Sequence, residues 1–403
     1  MKIEGIDSLA IFSANPSFFE PLHVGRPNLG NRSRLLERIN DLLDRRWYTN
    51  NGPLVQEFEH RITEWVGVKY CLAVCNATVG LEIAIRALDL KGEVIIPSFT
   101  FISAAHALQW QGITPVFADV NPNTHNLDPL SVEERITPLT SAILGVHIWG
   151  RPCDIEALSA IAERHHLKLF FDAAHAFGNS HHGKMIGNFG ELEIFSFHAT
   201  KFLNSFEGGA IATNNEVLAH KMREMINFGF HGYDRVDGLG INGKMTEICA
   251  AMGLTSLDNI DEIIDANRRN YRHYRQEVKS IPGIKVIEFD ETQKFNYQYV
   301  IIEIDEGVTG ISRDLMVDIL HAENVLVRRY FYPGCHRMEP YRTLFPDISR
   351  LLPETEKLTT RVMTLPSGTS VGEEEITKVC ALIRLISSKS GEIKQRLTTS
   401  VKG

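Results

Sequence analysis

Lys201 closes the run Ser196-Phe197-His198-Ala199-Thr200-Lys201, just past a short apolar stretch from Glu193 to Phe197, and Glu207-Gly208-Gly209-Ala210 follows it. Asp172 ends a second apolar stretch, Leu167-Lys168-Leu169-Phe170-Phe171, and runs straight into Ala173-Ala174-His175-Ala176-Phe177-Gly178. Both read as polar groups delivered by strand ends. A lysine amine forms a Schiff base with an aldehyde, and an acid beside a pyridine nitrogen keeps that ring protonated so that it takes up electrons. Pyridoxal 5'-phosphate requires this pair of groups, so Lys201 and Asp172 are the expected catalytic residues and also the first cofactor contacts.

The remaining candidates follow from what such a cofactor needs. Thr78 stands between an apolar strand at 70–75 and a helix carrying Leu81, Ile85 and Leu88, in an N-cap position; a helix start of this kind binds phosphate through free backbone amides. Thr78, with Val79 beside it, is the expected phosphate contact, and Ser196 a second donor. A planar ring needs a stacking surface, and Pro97-Ser98-Phe99-Thr100-Phe101 ends a strand with two aromatics: Phe101 is the expected stacking face and Phe99 the inward-packed one. His175, three residues past Asp172, is placed close enough to touch the ring.

Other motifs carry less. His165-His166 and His181-His182 resemble metal spacing, but adjacent side chains point apart on a helix or strand, so both pairs read as solvated polar residues and no metal site is expected. Cys71 and Cys75, four apart in an apolar strand, read as small buried residues. Gly238-Leu239-Gly240 lacks a strand before it and a helix after it, which excludes a dinucleotide fingerprint.

These residues must be positioned by an alternating chain. Leu35, Leu36, Ile39, Leu42 and Leu43 recur at helical steps, Asn50-Asn51-Gly52-Pro53 breaks the pattern, and a helix over 54–66 ends at Gly67. Strands at 70–75, 93–97, 114–119, 142–148 and 167–172 then alternate with helices at 78–90, 101–111 and 154–165. Alternation of this kind, with strands that are apolar throughout, predicts an α/β fold: a mostly parallel central sheet with helices on both faces. Ligands bind beyond the carboxyl ends of such strands, where the candidate residues fall. The expected domains are 1–257, an N-terminal segment with the large cofactor-binding domain; 258–390, a connecting helix and a smaller α+β domain; and 391–403, a frayed polar tail.

At 403 residues the chain exceeds one ordinary core. A net charge of −8 without a basic run argues against a nucleic-acid partner. The first residues lack a signal-peptide layout and no run approaches the ~20 apolar residues of a membrane span, so a cytoplasmic protein without membrane contact is expected. Six scattered cysteines are expected to be reduced.

Taken in order, PSFTF at 97–101, TPVFADV at 114–120, DAAHAFG at 172–178, SFHATK at 196–201, EGGA at 207–210 and the segment Gly240 to Ile248 resemble the DegT/DnrJ/EryC1/StrS family of nucleotide-sugar aminotransferases, within the aspartate aminotransferase superfamily. The resemblance spans about residues 20–385 and implies the fold type I architecture of pyridoxal-phosphate transferases. It implies a homodimer with shared active sites, Asn242 reaching the neighbouring subunit's cofactor phosphate. It also implies that Val146-His147-Ile148-Trp149-Gly150 lines the site through His147, and that the segment Arg329 to His336 approaches the sugar nucleotide through Tyr330 and His336. Arg26, in Gly25-Arg26-Pro27, resembles a substrate-facing residue.

The implied reaction is ping-pong. L-Glutamate gives its amino group to the cofactor, leaving pyridoxamine 5'-phosphate, and a nucleotide-linked keto-deoxysugar takes it, most simply a dTDP-4-keto-6-deoxyhexose. Three rivals remain, of which a fold-type relative acting on free amino acids is disfavoured by SFHATK and DAAHAFG. A sugar dehydratase of the same family carries histidine in place of the lysine, against which Lys201 argues; a non-catalytic regulator that binds the cofactor would need a DNA-binding segment that the chain lacks.

Overall fold

A computed structural model describes residues 5–400 of the chain. Seven strands make the main sheet: β1 (Tyr70–Val74), β2 (Glu93–Pro97), β3 (Thr114–Ala118), β4 (Thr140–Val146), β5 (Lys168–Asp172), β6 (Glu193–Ser196) and β7 (Gly209–Thr213). Their order across the sheet is β1-β7-β6-β5-β4-β2-β3. Only β7 runs antiparallel to its neighbours, pairing Gly209 with both Val74 and Ser196. The sheet is therefore mixed, with the parallel majority that the apolar strands predict.

Side chains alternate across a strand, so consecutive residues feed opposite layers. Phe170 and Ile194 pack with Leu81, Ile85, Leu108 and Phe117 on one face. Their neighbours Phe171 and Phe195 pack with Phe58, Ile62, Leu158 and Leu254 on the other. Two adjacent buried residues need two covers, and the helices supply both. Helix Pro53–Val66 starts on proline at its first turn and stops at Gly67, whose φ of +72° closes it in the left-handed conformation.

A second layer of chain follows helix Glu247–Asp258. Asn259 breaks the expected connecting helix, which runs Ile260–Val278. It covers a three-stranded antiparallel sheet of β8 (Ile284–Val286), β9 (Val300–Ile304) and β10 (Val362–Leu365). Tyr271, Tyr274, Ile302, Met316 and Ile383 form its core. Leu9 and Phe18 join that same core, and Leu22–His23 pairs in parallel with Val325–Leu326. The buried Glu323 carboxylate fastens the contact by accepting from the amides of Ala10 and Ser17 at 2.6 and 2.7 Å. The N-terminal segment thus folds onto the C-terminal unit.

The frayed tail is corrected by the structure. Ser390–Ser400 is helical, with Ile393 fully buried and Leu397 packed on the second core; its few apolar residues are spaced to face one side. Residues 401–403 lie outside the described range, as do 1–4. No helix among the described residues is long and apolar enough to cross a membrane.

Candidate active site

Loops from the carboxyl ends of β1, β2, β4, β5 and β6 converge on a cavity of about 690 Å³, closed on its far side by Tyr299, Arg328, Tyr330 and Phe331 from the second unit. Thr78, Val79, Phe101, Asp172, His175, Ser196, Lys201 and Tyr330 all line it. Eight side chains singled out from the sequence therefore meet in one place.

Asp172 ends β5 and is buried. Its Oδ1 accepts from the Ala174 amide at 2.9 Å, and among the described residues no group bonds Oδ2. Burial pushes the carboxyl above its usual range, while that amide and the Lys201 charge pull the other way. Lys201 sits between β6 and β7, its Nζ 3.5 Å from the Tyr299 hydroxyl. Burial lowers the ammonium to about 8, against the opposing pull of Asp172. Each group is held in an environment that disfavours its charge, which is how protein interiors prepare acids and bases for work near neutral pH.

His175 is neutral, because burial drives its pKa well below the usual value and the Lys201 charge adds to the effect. Its ring stacks on Phe331 with centroids 5.6 Å apart, stands edge-on to Tyr299, and accepts at Nδ1 from the Trp149 backbone N–H at 3.3 Å. Trp149 is fully buried with φ +53°, and Gly150 follows at +86°. A Cβ at Gly150 would lie 2.8 Å from the His175 carbonyl, so only glycine lets this turn press against the loop after β5.

The helix start after β1 is capped two residues earlier than the sequence suggests. Asn76, not Thr78, is the N-cap, its Oδ1 accepting from the Val79 amide at 2.9 Å. The Val79 N–H is thus occupied, and Ala77 and Thr78 supply the first-turn amides that the helix leaves unpaired. Phe101 is half exposed toward the cavity and Phe99 is buried against Trp149, as the alternation between them requires.

Four further candidates do not line this chain's cavity, and for Asn242, expected to act on the neighbouring subunit, that is consistent with its role. His147 is fully buried, bonded through Nε2 to Glu193 at 2.9 Å and through Nδ1 to the Cys153 amide at 3.0 Å, and its ring stacks on Phe171. In its segment only Val146 lines the cavity; period-two alternation turns the next side chain into the core. His336 is likewise buried, held between Ser98 Oγ and Glu356 Oε1 at 2.6 Å each. Arg26 is exposed and outside the lining, although Gly25 packs on Thr200. Asn242 is exposed and does not line its own chain's cavity.

The sequence reading missed Tyr299, Arg328, Phe331, Glu207 and His198, all in the lining. Tyr299 and Arg328 belong to no motif and become visible only when β9 and the segment after Val327 meet the main sheet. Phe99, Trp149, Tyr299, Phe331 and Val362 form one cluster behind the cavity, which fixes the two units against each other at the site.

The arrangement offers a buried amine and acid, unpaired helix-start amides, a flat aromatic and a neutral histidine. It can hold a planar ligand with an anionic tail and pass a proton. The sequence profile of the DegT/DnrJ/EryC1/StrS aminotransferase family matches residues 31–384. A crystal structure of DesI in the presence of its TDP-sugar product superposes with a TM-score of 0.93 at 48% identity, covering 98% of this chain and 100% of that one. The dTDP-4-amino-4,6-dideoxy-D-glucose transaminase of Shigella dysenteriae is 34% identical over 91% of this chain and 99% of its own. The Escherichia coli transaminase of the same name is 36% identical over 89% and 97%. With its Lys201 and Asp172 set at the strand ends of this fold, the chain belongs to the DegT/DnrJ/EryC1/StrS aminotransferase family.

Proposed function

We propose that this aminotransferase carries an amino group from L-glutamate to C4 of a dTDP-linked 4-keto-6-deoxyhexose, with pyridoxal 5'-phosphate as cofactor and a homodimer as the working form. The observation that carries the proposal is the pairing of a lysine lowered to about 8 with a buried acid in one cavity, in a chain 48% identical to DesI.

The residues fit the cofactor. The unbonded Oδ2 of the buried Asp172 calls for a cationic N–H partner, such as a protonated pyridine. The Ala77 and Thr78 amides with Ser196 suit a phosphate, and Phe101 a flat ring. Pyridoxal phosphate, when bound, supplies the electron sink that makes and breaks a carbon–nitrogen bond at the substrate carbon.

The chain supplies the rest. Lys201, near 8, exists partly as free amine at neutral pH, so its Nζ can take a proton from one carbon and return it to another. The Tyr299 hydroxyl, held protonated because burial pushes its pKa up, stands beside that amine and limits where it swings. His175 presents a neutral ring to the cavity. Arg328 is exposed in the cavity lining, has no carboxylate partner among the described residues, and is offered to the anionic substrates; Tyr330 borders the same wall. Closure of the cavity by the second unit limits the water that competes for protons.

An apolar surface supports the dimer. Trp47, Tyr48, Phe206, Phe228, Ile241 and Ile248 are each more than two-fifths exposed. Tyr48 bonds the Glu247 amide, Ile241 bonds the Phe228 amide, and Phe206 adjoins Glu207 at the cavity. In the proposed dimer the partner copy covers this surface and its Asn242 segment reaches the cavity, as the family resemblance implies. The division at 257/258 stays part of the proposal, the N-terminal segment joining the smaller unit.

The test is a two-stage turnover assay. Purified protein should convert L-glutamate to 2-oxoglutarate in a single round without sugar, and continuously with the dTDP-linked ketosugar. Continuous turnover with the GDP-linked counterpart alone would replace the proposed nucleotide.

A further inference from the structure

The adjacent pair His181-His182 does not splay. Ser180–His181 and Lys184–Met185 form a two-strand hairpin, and His182 and Gly183 turn it with φ of +49° and +77°. Turns with two positive φ values favour Asn-Gly or Asp-Gly, so a histidine at the first position is a departure from turn chemistry. That conformation folds the second ring back onto the first, and the two imidazoles stack with centroids 4.1 Å apart.

Both rings then face one carboxylate. His181 Nε2 lies 3.0 and 2.9 Å from the two oxygens of Glu156, and His182 Nδ1 lies 3.2 Å from Glu156 Oε1. Glu156 is in the first turn of helix Ile155–Arg164, a different element. Neutral imidazole is the ligand form of histidine, and the two rings present a nitrogen each to the same carboxylate. A tetrahedral zinc ion holds nitrogen and oxygen donors at about 2.0–2.1 Å, which places the donors about 3.3 Å apart. The nitrogen–oxygen separations here already lie near that edge length, and all three donor atoms fall within 4.8 Å of one another.

We propose that Glu156, His181 and His182 form a three-ligand site for a divalent transition metal of the zinc type, with water in the fourth position. Binding displaces any proton the two imidazoles carry and forms two nitrogen bonds and one oxygen bond to the ion. The hairpin is already seated from its other side: Ser180 exchanges hydrogen bonds with Lys294, and the Gly183 amide donates to Gln293 Oε1 at 3.1 Å. The metal would clip it to the helix as well. None of the three ligands lines the active-site cavity, so the inference does not depend on the proposed reaction.

A second cluster, Glu224, His231 and Asp237, supplies the contrast. There Asp237 is taken by a two-pronged contact from Arg235, at 2.7–2.9 Å through Nε and closer through Nη2, so one ligand is already spent. The test is calorimetric titration of the full-length holoenzyme with zinc chloride, beside His182→Ala, Glu156→Gln and Glu224→Gln. The expected result is one equivalent per chain that disappears in the first two variants and persists in Glu224→Gln, with a rise in melting temperature on zinc addition only where the equivalent is retained. No saturable equivalent in the native protein, or one that survives His182→Ala, overturns the proposal.

Discussion

The backbone N–H of Trp149 donates to His175 Nδ1 at 3.3 Å, from a buried tryptophan held at φ +53°. A neutral imidazole has one N–H, and a nitrogen that accepts cannot carry it. The proton of His175 is therefore on Nε2, and the ring is a fixed donor on the cavity wall. In selectively ¹⁵N-labelled protein at neutral pH, His175 should show an unprotonated Nδ1 and a protonated Nε2. Protonation at both nitrogens, or at Nδ1 alone, would contradict the assignment.

Lys201 lowered to about 8 gives a pH dependence. Only the free amine attacks an aldehyde, so the rate of covalent attachment of pyridoxal phosphate should climb as pH rises and level off above about 8. The Asp172 charge raises the Lys201 pKa, so Asp172→Asn removes an opposing effect and should move that midpoint downward. A midpoint that stays near the ordinary lysine value in both proteins would remove the basis for the assignment.

Asp172→Asn should also lose turnover by about a hundredfold or more, since it removes a preorganised charge from the point where the cofactor ring needs it. The protein should remain folded, because burial makes this carboxylate costly in the first place. Far-ultraviolet circular dichroism separates the two effects; near-native turnover in a folded variant would make the acid structural.

Arg328 tests the cavity lining. Arg328→Gln should raise KM about tenfold for the anionic substrate it meets, in line with loss of one charge-assisted hydrogen bond, and leave melting temperature unchanged. Unchanged KM for both L-glutamate and the sugar nucleotide would remove Arg328 from the binding surface.

His147→Ala separates core from site. The change leaves Glu193 Oε1 and the Cys153 amide without their partners inside the protein, at a cost of about 2–3 kcal/mol in unfolding free energy. KM for the sugar nucleotide should not change. A KM effect with intact stability would restore the substrate contact that the resemblance implied.

Much of this was readable in the chain because strand ends announce themselves. Asp172 and Lys201 follow apolar runs, so their place on one sheet edge followed from topology. His147 and His336 misled for a related reason: each lies next to a cavity residue in sequence or space, but alternation along β4 and the Ser98–His336 bond turn them inward. The Asn76 cap was hidden because Asn and Thr both cap helices, and only the backbone decides between them. Tyr299 and Arg328 reach the site through a packing of two units that no local pattern encodes. The stacked His181-His182 pair depends on the left-handed turn at His182 and Gly183, which sequence spacing does not reveal.

The role of Lys201 is tested by the visible absorbance of purified protein loaded with pyridoxal phosphate, followed through addition of L-glutamate and then of a dTDP-linked 4-keto-6-deoxyhexose, in native and Lys201→Ala protein. Native protein should show a band that glutamate removes and the sugar restores, and Lys201→Ala should show neither response. A native band indifferent to glutamate, or a full cycle in Lys201→Ala, would contradict that role.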